Sequence, residues 1–68
     1  MDVSEITEEQ LKEARRQIDS ILHKLRETVK TLEGKERPDR YRSQLTLARR
    51  RIEALEIANL LIESQKGR

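Results

Sequence analysis

One histidine, His23, and a run of three arginines, Arg49-Arg50-Arg51, are the residues of this chain with the most obvious capacity for chemistry. An imidazole can act as a base near neutral pH or ligate zinc, but a zinc site needs three or four ligands. The chain has no cysteine and no second histidine, so His23 cannot build one unaided. By helical position it falls beside Leu22 on the solvent side, where it is read as a solvated side chain. There is no carboxylate pair, no nucleophile with a base and no glycine-rich phosphate loop. Perturbed pKa values need a dry concave pocket, which a chain of this kind has no means of enclosing. The sequence therefore assigns no catalytic, cofactor-binding or metal-ligating residue, and a non-enzyme without cofactor is expected.

The arginines, with Arg37, Arg40 and Arg42 upstream, raise the question of a phosphate-binding face. Consecutive arginines on a helix point in different directions, and no base-stacking aromatic accompanies them. They are read as a solvated flank whose aliphatic stems shield Leu47 and Ala54, so a nucleic-acid partner is not expected.

Composition narrows the setting. The chain has 68 residues, 41% charged and 1% aromatic, the one aromatic being Tyr41. A single core is marginal at this size, and a partner is often needed. The start, Met1-Asp2-Val3-Ser4-Glu5, lacks the apolar stretch of a signal peptide, and no run approaches the ~20 residues of a membrane span. Together with the absence of cysteine this leads us to expect a soluble protein of a reducing cytosol, with no membrane insertion. The formal charge of +2 combines an acidic half, residues 1–34 with eight acids and six bases, and a basic half, residues 35–68 with five acids and nine bases.

These residues are positioned by helices. Thr7-Glu8-Glu9-Gln10 has the pattern of a capping box, Ile6 and Leu11 that of a hydrophobic staple, and Glu8, Glu9 and Glu13 complement the helix dipole. Residues 1–5 are expected to fray. Leu11, Ala14, Ile18, Ile21, Leu25, Thr28 and Leu32 recur in steps of three and four, with Leu22 and Val29 on one flank. The pattern predicts helix 1 over about 8–33, ending at Gly34 in a left-handed conformation. Lys35-Glu36-Arg37 continues the loop, and Pro38 suits the first turn of helix 2, predicted over about 38–65. Its stripe is Tyr41, Leu45, Ala48, Ile52, Leu55, Asn59 and Ile62. A link this short joins antiparallel neighbours, so the fold expected is a single all-α unit, a coiled-coil-like two-helix hairpin. The stripes then face each other in layers, from Leu32 with Tyr41 at the loop to Ala14 with Asn59 and Leu11 with Ile62 at the open end. Tyr41 would close the loop end against Leu32, its hydroxyl at the surface. Asn59 in an apolar seam either fixes register or simply reaches water near the helix end.

Helix 2 has apolar residues this pairing does not use. At 100° per residue, Leu47, Ala54, Ala58 and Leu61 cluster about 130° around the helix from the seam, with Ile57 beside them. Leu60 lies on another side and has no assigned role. A stripe at helical spacing calls for a cover. We take Leu47, Ala54, Ile57, Ala58 and Leu61 as the expected partner face, with Leu22 and Val29 as its rim.

Two helices joined by a short polar loop, the tyrosine of Pro38-Asp39-Arg40-Tyr41-Arg42, and an Ala54-x-x-Ile57 core in an increasingly aliphatic end resemble the small co-chaperones of type III secretion systems, the YscE/PscE/SsaE/EscE group. The resemblance spans roughly residues 8–65. Some members have a tryptophan near the start of helix 2, where this chain has Gln44 or Leu45. The resemblance implies a bacterial cytoplasmic protein that binds a larger, tetratricopeptide-like chaperone and, through it, the needle subunit, which is kept from polymerising. An alternative from the residues is a homodimeric four-helix bundle resembling Rop-type RNA-binding hairpins, in which self-association covers the second stripe.

Overall fold

The computed structural model describes residues 1–65, apart from the side chain of Pro38. Two long helices form the expected antiparallel hairpin: α1 spans Glu8–Glu33 and α2 spans Arg42–Gln65. The rod measures 48 × 17 × 16 Å. No helix among the described residues is long and apolar enough to cross a membrane.

The start of α1 follows from its capping residues. The Gln10 backbone amide donates to the Thr7 hydroxyl at 3.1 Å, and the Thr7 amide donates to the Gln10 side-chain oxygen at 2.9 Å. Two amides with no intrahelical partner are thereby satisfied. Ile6, Leu11 and Val3 line a recess with Gln65, so the staple residues also meet the end of α2. Residues 3–5, expected to fray, instead form a 3₁₀ turn closed by Glu5 N–H to Asp2 O and Ile6 N–H to Val3 O.

The loop departs from expectation in its glycine. Gly34 has φ −83° and ψ −2°, right-handed rather than left-handed, and its amide donates to Lys30 O at 3.1 Å. A Cβ built there meets Lys30 O at 3.5 Å and Thr31 O at 3.6 Å, ordinary contacts. Gly34→Ala is therefore expected to stabilise the hairpin by about 0.4–1 kcal/mol, through lost freedom of the unfolded chain. Thermal melts followed by circular dichroism check this, and a lower Tm would show that the loop needs its glycine. Arg37, at φ −125° and ψ 76°, is non-helical as a residue before proline should be. The second arm opens with a 3₁₀ turn, Pro38–Tyr41, before α2 begins at Arg42, four residues later than the sequence suggested. The turn packs on α1 and α2, and Tyr41 in it is half-buried.

The core is small. Leu22, Leu45 and Ala48 are its buried residues, with Ile18, Leu25, Val29, Leu32, Ile52, Leu55 and Ile62 half-buried around them. The α2 seam is the expected one. The α1 seam is rotated: Leu22, assigned to the rim of a partner face, is 3% exposed, whereas Ile21, assigned to the seam, is 46% exposed. Val29 likewise takes the inward place expected for Thr28, which is exposed and donates its hydroxyl to Lys24 O at 2.9 Å. The physical reason is that Ile18, Leu22, Leu25, Val29 and Leu32 keep the same three-four step with no polar member. Choosing Ile21 and Thr28 would put a hydroxyl in the seam.

Candidate functional site

The two long flanks of the hairpin differ. On one, side chains from both helices are stitched across the seam: Arg15 with Glu63, Arg26 Nη2 with Glu56 Oε2 at 3.0 Å, and Arg49 with Glu33. Asn59 joins them by donating from Nδ2 to Asp19 Oδ1 at 2.9 Å. Asn59 thus finds its side-chain partner in Asp19 on the opposite helix. Its own Oδ1 is buried without a partner, a costly state for a carbonyl. Each ion pair is half-exposed and contributes up to about 1 kcal/mol, but all act in the same sense, holding α2 against α1. Between them lies a shallow groove of about 350 Å³, floored by Leu22 and edged by Leu60. Leu60, without a role in the sequence reading, stands at this rim, 70% exposed.

The other flank is apolar. Leu25, Thr28 and Leu32 of α1 and Leu47 and Ala48 of α2 line a groove of about 380 Å³, with Gln44 and Arg51 beside them. The heptad carries this flank along the rod: Ile21 lies seven residues before Thr28, while Ala54 and Leu61 lie seven and fourteen after Leu47. Ile21, Leu47, Ala54 and Leu61 are exposed, and Ile57, also exposed, continues the surface around the back of α2. Leaving Ile57 and Leu61 in water forgoes roughly 1.5–3 kcal/mol each relative to full burial.

Of the expected partner face, Leu47, Ala54, Ile57 and Leu61 are therefore open to solvent. Ala58 is half-buried and Val29 half-buried in the seam. Leu22 is removed from the face altogether. Ile21 joins it, a residue the sequence had used up in the seam. The signal was present in the polar lapse at Thr28: rotating the stripe to avoid it also moves Ile21 outward.

The arginines are divided. Arg49 holds Glu33, while Arg51 lines the apolar groove with Leu47. His23 is exposed. Among the described residues no group of three or more His, Cys, Asp or Glu is placed to hold a metal ion. Fold and flank together define an all-α hairpin with an uncovered apolar side. Comparison with family models, with curated proteins and with solved structures found no match.

Proposed function

We propose that this hairpin is a binding module that lays its apolar flank into the concave surface of a larger helical-repeat protein. By its resemblance to the type III secretion co-chaperones, that protein is a tetratricopeptide-like chaperone, and the pair keeps a needle subunit from polymerising in the bacterial cytoplasm. The observation that carries the reading is the inequality of the flanks. One is closed by Arg15 with Glu63, Arg26 with Glu56 and Arg49 with Glu33. The other leaves Ile21 of α1 and Leu47 and Leu61 of α2 exposed. Helix-in-groove recognition uses anchors at i, i+4 and i+7, and a concave repeat surface supplies a groove for a rod.

The test is co-purification from the native host with a tag on this chain. The expected result is a ternary complex containing a repeat-type chaperone and a needle subunit that stays unpolymerised. Recovery of the needle subunit with its chaperone from cells lacking this chain, in undiminished soluble yield, would contradict the reading.

A further inference from the structure

The apolar flank has a symmetry that a helical-repeat partner does not require. Leu47, Ala54 and Leu61 are spaced by seven, with the small residue in the middle. A two-fold axis through Ala54 would set Leu47 of one copy against Leu61 of another, and alanine against alanine at the centre, where the backbones can approach closely. The same residues in a parallel pairing would meet only their own kind.

Charge selects between the two arrangements. Residues 30–51, the loop end of the rod, carry eight Lys or Arg against three Asp or Glu, whereas the rest of the chain carries seven against ten. Side by side in parallel, two copies would superimpose basic end on basic end. Antiparallel, the basic end of each lies along the acidic end of the other. Area leaves room for a second copy in either arrangement. The chain exposes 5673 Å², against about 4,500 Å² for a compact globule of its mass. The excess of about 1,200 Å² is of the order of the ~800 Å² per partner that a stable interface takes.

We infer that a second copy of this chain covers the flank when no larger partner is present, forming an antiparallel four-helix bundle about a two-fold axis at Ala54. A larger chaperone would then bind by displacing it. The dimer requires only the flank and the charge gradient, so it stands or falls apart from the co-chaperone reading.

The chain has no cysteine, which makes the test clean. Sedimentation of the full chain alone should give a dimer at micromolar concentration. Under mild oxidation Ala54→Cys should form a covalent dimer with itself. Leu47→Cys and Leu61→Cys should cross-link efficiently only when the two variants are mixed, with a several-fold excess of the mixed product over either self-product. A monomer at millimolar concentration would overturn the inference. So would self-products of Leu47→Cys and Leu61→Cys exceeding the mixed one, since that is the parallel arrangement. Loss of self-association with chaperone binding intact would leave the co-chaperone reading standing alone.

Discussion

Leu22→Ala is expected to abolish most of the helical circular dichroism at room temperature, while Ile21→Ala, one residue away, leaves it nearly unchanged. Leu22 is the least exposed side chain in the core, and truncating a buried leucine costs about 2–5 kcal/mol. A domain this small has only a few kcal/mol in hand, because so little of its surface is removed from water on folding. Once the seam is lost, each helix stands alone, and isolated helices are marginal in water. Ile21, by contrast, is 46% exposed, and alanine is the better helix former, so its loss costs little packing. Urea titrations of both variants should separate their stabilities by at least about 2 kcal/mol. Equal destabilisation, or a larger effect at Ile21, would show that α1 turns Ile21 rather than Leu22 into the seam.

That rotation marks where the sequence was legible and where it was not. The element boundaries of α1 could be read from Thr7, Gln10 and Gly34, because capping is local chemistry written in a few adjacent residues. The seam of α2 could be read because Leu45, Ala48, Ile52 and Leu55 keep the three-four step with no polar member, whereas the competing stripe of Leu47, Ala54, Ala58 and Leu61 is interrupted by Arg51. In α1, Ile21 and Leu22 compete, and so do Thr28 and Val29. Both choices keep the three-four step, so periodicity alone does not decide between them. Avoiding a buried hydroxyl does. The backbone conformation of Gly34 was hidden because the loop closes with right-handed angles that need no glycine. Asn59 was read by its layer, but its partner Asp19 lies on a flank, where polar side chains find one another across the seam by reach. The open side of the molecule was legible in Leu47, Ala54, Ile57 and Leu61, and obscured only where it borrows Ile21.

Leu61→Asp carries the largest expected effect on binding. Leu61 is 61% exposed in the single hairpin, so the substitution changes the stability of that hairpin, taken as a monomer, by no more than about 0.5 kcal/mol. In a complex that buries this flank, it removes a leucine anchor and places a carboxylate without a partner against apolar surface. A hot-spot loss of 2 kcal/mol or more follows, and with the desolvated charge about 3–5 kcal/mol is expected. That is more than a hundredfold in Kd, since each 1.4 kcal/mol is about tenfold. Leu60 supplies the control. It is adjacent in sequence and more exposed, yet it edges the groove on the stitched flank. The same substitution there should leave affinity within a few-fold.

Calorimetric titration of the proposed helical-repeat partner with wild type, Leu60→Asp and Leu61→Asp puts the unequal flanks to the most direct test. Leu61→Asp should show no measurable heat of binding where wild type and Leu60→Asp bind alike, all three with the same helix content. Normal binding by Leu61→Asp, or loss confined to Leu60→Asp, would place the partner on the stitched flank and contradict the account.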